Sequence, residues 1–185
     1  KTAKMDLLLH MLKNRQMTCV LVFSRTKHGA DKIHRKLEKA GISSIAMHSG
    51  RSQGQRERAM DGFRRGKYQV MVATDIAARG IDIDGISHVI NFDVPAYAED
   101  YIHRIGRTGR AAATGDAITF VAPDEQENFR KIEKFIGREF EFEACEGFDW
   151  AAPAMPRPKP VEKKSLASHR PRRGGGRRRT GIRRR

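Results

Sequence analysis

This sequence predicts an α/β fold: a mainly parallel β-sheet with helices on both faces, followed by a basic tail outside the core. Three observations lead there. Short, continuously apolar runs rich in β-branched residues, such as "CVLVF" (Cys19 to Phe23), suit strands buried on both faces, because a strand with one wet face would alternate. Segments with apolar residues at helical spacing separate these runs, and such alternation argues for parallel pairing, since a parallel strand needs a long crossover. Large apolar residues and acidic residues almost vanish after Trp150, where the folding pattern stops.

The elements follow in order. Lys4 to Asn14 places Met5, Leu8, Leu9 and Leu12 on one helical face, and Cys19 to Phe23 is the first strand. A helix from Lys27 to Ala40 closed by Gly41, a strand from Ser44 to Met47, and a helix from Ser52 to Arg65 closed by Gly66 come next, with Ser52 as N-cap. Strands are expected at "QVMVAT" (Gln69 to Thr74), "HVINF" (His88 to Phe92) and "DAITFV" (Asp116 to Val121). Helices are expected from Ala98 to Ile105 and from Pro123 to Ile136.

Of 185 residues, 37 are Lys or Arg and 22 are Asp or Glu, for a formal charge of +15. From Ala151 onward there are thirteen bases against one acid, Glu162, so +12 belongs to this tail and +3 to residues 1–150. Five of the seven prolines also fall there. Such a segment cannot bury enough surface to offset its ordering entropy, so two regions are expected: a folded domain over 1–150 and a disordered basic tail over 151–185. The two cysteines, Cys19 and Cys145, lack metal-type spacing and suit a reducing compartment, and no apolar run approaches the roughly 18 residues a membrane helix needs; a cytoplasmic location, no membrane contact and a monomer are expected. The opening "KTAKMDLL", already in helical rhythm, reads as the interior of a longer chain.

In parallel sheets ligands sit beyond the carboxyl ends of the strands, so the loops there carry the functional reading. "FSRTKHG" leaves the first strand with Ser24, Arg25 and Thr26; "MHSGRSQGQR" leaves the second with Gly50, Gln53 and Arg56. In "ATDIAARGIDI", Thr74 brings a hydroxyl to a strand end, Gly80 permits close backbone approach, and Asp82 is an acceptor suited to a sugar hydroxyl. Asp75 and Asp82 have an alternative role as salt-bridge partners of Arg79 or Arg104. In "HRIGRTGR", Arg107 and Arg110 are three residues apart, and in a helical turn they would project from one face. Two guanidinium forks side by side suit a polyphosphate.

These stretches carry a family resemblance. Phe23 to Lys27, Gln53 to Arg56, Thr74 to Asp82 and His103 to Arg110 resemble, in order and spacing, motifs IV, IVa, V and VI of the DEAD-box RNA helicases. "FSRTKHGADKI" and "GRAAATGDA" look most like the bacterial RhlE-type branch. The resemblance covers Lys1 to Gly137 and implies the second RecA-like domain of a two-domain, ATP-dependent enzyme. It implies that Arg107 and Arg110 reach the ATP γ-phosphate as catalytic arginines, with Arg110 the stronger candidate for the finger, and that Asp82 meets the ribose. It further implies that Arg25, Gly50, Gln53, Arg56, Thr74 and Gly80 follow the RNA backbone, and that His103 and Arg104 face the N-terminal RecA-like domain.

The departures matter as much. "GFRRGKY" (Gly62 to Tyr68) is one residue short of a GxxxxGK[ST] phosphate loop and ends in Tyr where a Mg²⁺-binding hydroxyl is needed. No Asp-Glu-Ala-Asp box occurs either, so ATP and Mg²⁺ are expected to be held mainly by the N-terminal domain, and residues 1–185 to be inactive alone. "RPRRGGGRRRTGIRRR" reads as a sequence-tolerant RNA tether. The competing expectation is a stand-alone RNA-binding module that keeps the fold without catalysis.

Overall fold

Val20–Phe23 (β1) lies at the centre of a five-stranded sheet whose order is β2-β3-β1-β4-β5. The other strands are Ser44–Met47 (β2), Val70–Ala73 (β3), His88–Asn91 (β4) and Asp116–Thr119 (β5), and every pairing is parallel. The computed structural model describes residues 2–14, 17–79, 83, 85–109 and 115–148, all within one compact unit. The tail expected over 151–185 lies outside the described residues.

Helices Thr2–Asn14 (α1), Lys27–Lys39 (α2), Gln53–Arg64 (α3), Asp75–Ala78 (α4), Ala98–Ile105 (α5) and Gln126–Ile136 (α6) complete the element order. All four residues of β1 and of β3 are buried, as expected of strands sandwiched between two helical layers. Side chains alternate along β1: Val20 and Val22 join the residues of α1 and α2, while Leu21 and Phe23 join Phe63 of α3 and Ala77 and Ala78 of α4. Each fully buried aliphatic side chain contributes about 1.5–3 kcal/mol, so the two faces of β1 anchor both layers. Phe129 and Ile132 of α6 pack with Tyr101 of α5 and Val94 in a third cluster.

Local chemistry explains the helix limits. Thr26 accepts from the Gly29 N–H at 3.0 Å and opens α2. Ser52 opens α3 with a capping box, its hydroxyl accepting from Gln55 N while the Gln55 side chain accepts from Ser52 N. Gly41 and Gly66 follow α2 and α3 with φ of 79° and 73°, a conformation that stops a helix and favours glycine.

Two expectations need correcting. The segment from Pro123 begins as a 3₁₀ turn, Pro123–Glu125, before α6, because Glu125 is drawn inward. A short helix, α4, occupies what the sequence suggested was plain loop. As expected, α5 ends at Ile105; Arg107 N and Thr108 N continue in tighter turns, donating to the carbonyls of Arg104 and Ile105. Arg110 lies outside the described residues, and so does its expected pairing with Arg107.

Candidate functional site

The chain runs outward from β1 to β2, returns to β3, and then crosses to β4, so neighbouring loops diverge at the β1/β4 crevice, where open α/β sheets bind ligands. Asp93, just beyond β4, spans this crevice: one carboxylate oxygen accepts from Ser24 Oγ at 3.1 Å and from Arg25 N at 2.9 Å. The Arg25 guanidinium donates to the Val94 carbonyl at 3.1 Å and to Glu125 Oε1 at 3.2 Å, and its side chain stays half exposed. Glu125 is buried and also accepts from Val94 N and Ala122 N. Lys4 of α1 pairs with it and donates to the carbonyls of Phe92 and Phe120 at 2.8 and 2.7 Å. A buried carboxylate with this many donors is compensated, and it holds Arg25 at a set height above the sheet.

Beyond β2, His48 is buried and bonded to Asp31 of α2 at 3.0 Å, and Arg51 reaches the same Asp31 oxygen at 2.8 Å. Burial works against the Asp31 carboxylate. The hydrogen bond from His48, with the charges of Arg51 and Arg35, outweighs it and holds its pKa below the ordinary aspartate value. On the first turns of α3, Gln53 donates to Glu57 at 2.9 Å and accepts from Arg56 Nη1 at 3.4 Å. Arg56 Nε is buried with no hydrogen-bond partner, and among the described residues it is the sole side-chain atom in that condition. Such an orphan donor carries a desolvation cost of about 1–3 kcal/mol, which an anionic acceptor would relieve.

Beyond β3, Thr74 is 9% exposed at the N-cap of α4, with no cap bond from its side chain. Asp75 accepts from Arg104 Nε at 2.6 Å and from Nη2 at 2.8 Å. The Arg104 guanidinium also donates to Asn91 Oδ1 at 3.2 Å and to the Asp93 carbonyl at 2.8 Å, and lies 5.0 Å from the Phe23 ring centre. Arg104 is 1% exposed, so it joins α4, α5 and β4 from within and does not project toward a second domain. That corrects its expected place in an interdomain surface, and it assigns Asp75 to the salt-bridge role. His103 is exposed on the last turn of α5. Arg107 is partly exposed, with Nε donating to the His103 carbonyl at 3.2 Å, and Arg79 sits 3.7 Å from Asp100. His103, Arg107 and Arg79 rim a cavity of about 210 Å³ floored by Phe23, Asp75 and Arg104.

The structure thus sets Arg25, Gly50, Gln53, Arg56 and Thr74 at the carboxyl ends of three adjacent strands, with His103 and Arg107 beside the crevice. Gly80 and Asp82 lie outside the described residues, as does Arg110. Sequence reasoning missed Asp93, Glu125, Asp31 and His48, which organise these loops. A signal was present for the first of these: "NFDVP" puts Asn91 inside an apolar strand and an aspartate at its carboxyl end. The exposed cations suit phosphate oxygens. Among the described residues no group of three or more His, Cys, Asp or Glu could hold a metal ion. No helix among them is long and apolar enough to cross a membrane.

Residues 3–112 match the helicase conserved C-terminal domain. The chain is 43% identical over 138 residues to the DEAD-box ATP-dependent RNA helicase CshA of Bacillus licheniformis, covering 75% of this chain and 28% of that protein. It is 41% identical over 143 residues to the ATP-dependent RNA helicase RhlB of Pseudomonas syringae pv. tomato, covering 77% of this chain and 35% of that protein. The chain therefore spans roughly a third or less of these relatives' length. The structure superposes on the E. coli DEAD-box protein SrmB, solved bound to regulator of ribonuclease activity A, with a TM-score of 0.71. That match has 39% identity and covers 74% of this chain and 81% of the other.

Proposed function

Because this chain belongs to the helicase conserved C-terminal domain family, of the DEAD-box RNA helicase kind, we propose that it is the C-terminal motor domain of an ATP-dependent RNA helicase of the RhlE-type branch. Residues 1–150 form the motor domain and 151–185 a basic RNA tether, working in the cytoplasm as a monomer. ATP supplies the phosphoryl transfer whose free energy drives the working cycle.

Within that reading, Arg25, Gly50, Gln53, Arg56, Thr74 and Gly80 follow one RNA strand by its phosphates, and so without base specificity. The observation that carries this is the half-exposed Arg25 fork, in the same loop row as the partly exposed Arg56 and the exposed Gln53 it bonds to. A phosphate oxygen is the acceptor that best satisfies a guanidinium N–H in this setting. Arg107 and Arg110 donate to the γ-phosphate and stabilise charge that develops in the transition state, and Asp82 accepts from the ribose. His103 faces the preceding RecA-like domain, whereas Arg104 acts through Asp75 to hold the crevice. The phosphate loop, the acidic box and the Mg²⁺ ligands come from that preceding domain, so this chain alone turns over no ATP.

Fusing the chain behind a DEAD-box N-terminal domain tests the proposal. RNA-stimulated ATP hydrolysis is expected from the fusion and not from residues 1–185. RNA binding without hydrolysis by the fusion would favour the stand-alone RNA-binding module. RNA-stimulated turnover by the purified chain itself would overturn the division of labour.

A further inference from the structure

The loop between β2 and α3 is shaped by a buried imidazole to which none of these roles is assigned. His48 directly follows β2 and is 4% exposed. Its Nδ1 lies 3.1 Å from Gly50 N and its Nε2 lies 3.0 Å from Asp31 Oδ1. A backbone N–H can only donate, so Nδ1 is the acceptor nitrogen, and Nε2 carries the proton shared with Asp31. Asp31 Oδ1 also accepts from Arg51, so one carboxylate holds both the ring and the far side of the same loop.

Space agrees with the hydrogen bonds. A Cβ on Gly50 would stand 3.0 Å from His48 Nδ1 and 3.1 Å from Cε1, so the backbone at Gly50 rests against the ring edge. Arg51 N then donates to the His48 carbonyl at 3.0 Å, and Ser52 opens α3. From the ring to Gln53 and Arg56 the chain makes a tight turn and one capped helical turn, with little slack between them.

We propose that His48, oriented by Asp31, is a positioning residue for RNA. It sets the Gly50 backbone and the first turn of α3, and thereby the direction in which Gln53 and Arg56 meet the phosphates. This rests on the RNA-track reading above. Plain packing is the competing role, and the two differ in which ring nitrogen matters. Asparagine places its side-chain oxygen near the Nδ1 position and can accept the Gly50 N–H. Glutamine reaches toward the Nε2 position, keeping Asp31 but leaving the Gly50 N–H without its acceptor.

The test is a titration of the ¹⁵N-labelled 185-residue chain with a single-stranded oligouridylate of roughly ten nucleotides, a length sufficient for a backbone-tracking groove. Shifts of the Gln53 and Arg56 amides and of Arg56 Nε report this surface directly, whatever the tail contributes to total affinity. His48→Asn should retain the parent's local affinity, while His48→Gln should lose about fivefold and exchange its Gly50 amide faster. Equal local affinity for His48→Gln and the parent overturns the proposal and leaves the RNA track standing. Absence of any RNA-dependent shift at Gln53 and Arg56 in the parent overturns the track and the proposal together. Should His48→Gln fail to fold, Asp31→Ala, at a partly exposed position on α2, frees the ring and decides by the same readout: parent-like local affinity overturns the proposal, and a comparable loss supports it.

Discussion

Asp75 receives two parallel hydrogen bonds from Arg104, at 2.6 and 2.8 Å, across 29 positions of sequence. This fork joins the single turn of α4 to the last turn of α5. The remaining Arg104 donor groups reach Asn91 and the Asp93 carbonyl, and the guanidinium lies over Phe23. One buried cation therefore ties together the ends of β1 and β4 and the two loops richest in proposed nucleotide contacts.

Breaking that pair by removing one partner should be costly, because the other is left as an uncompensated buried charge. Asp75→Ala should lower stability by about 3–5 kcal/mol in urea denaturation, with little change in the denaturant slope. An unfolding midpoint equal to the parent's would show that the fork is not needed to hold α4 in place.

Arg107 should behave in the opposite way. It is partly exposed beyond the end of α5, outside the buried core, so truncation should leave the fold intact. In a two-domain protein with ATPase activity, Arg107→Ala or Arg110→Ala should cut kcat by roughly 10² or more, the effect of removing a charge aimed at the transition state. Steady-state turnover checks this, and normal kcat in both variants would assign these arginines to structure.

Asp31 gives a pH dependence with a defined sign. Its folded pKa is lowered, so the stability it contributes is fully present above the unfolded value of about 3.9 and disappears as pH falls through the folded value. Asp31→Asn should therefore weaken the protein near neutrality and flatten the decline in stability below about pH 4. Urea denaturation of both proteins between neutral and acid pH measures it. Parallel curves for parent and variant would remove Asp31 from the acid limb.

The architecture was legible because its causes are local and repeated. A four-residue strand such as Val20–Phe23, buried on both faces, must read as an unbroken apolar run, and the capping box at Ser52 announces α3. Strand ends proved shorter than the apolar runs, because pairing stops where the neighbouring strands stop. The interior of the site was harder to see. Whether Arg104 turns inward depends on a carboxylate 29 residues away, and Glu125 meets Lys4 across 121 positions, so no local pattern encodes either. A four-residue helix such as α4 is held by that tertiary fork, since helical propensity alone cannot sustain so short a segment.

The last prediction separates the two proposed ways for this chain to hold RNA. Residues 1–150 carry a formal charge of +3 and residues 151–185 carry +12. Arginines that neutralise phosphates release counterions, so log affinity should fall with log salt by about 0.7 for each phosphate contacted on a single strand. Deleting everything after Trp150 should accordingly weaken RNA binding by roughly tenfold or more and flatten the salt slope. Arg56→Ala in the 185-residue chain should cost less, because it removes a single cation where the truncation removes thirteen, before the proposed preceding domain adds its share of the track. With that domain present and a non-hydrolysable ATP analogue bound, the ranking should shift, and Arg56→Ala should become costly as closure brings the track into register. Fluorescence anisotropy at several salt concentrations measures all of these quantities. If the shortened chain binds as tightly as the parent with the same slope, the arginine-rich segment does not tether RNA, and the folded loops above β1, β2 and β3 account for the binding by themselves.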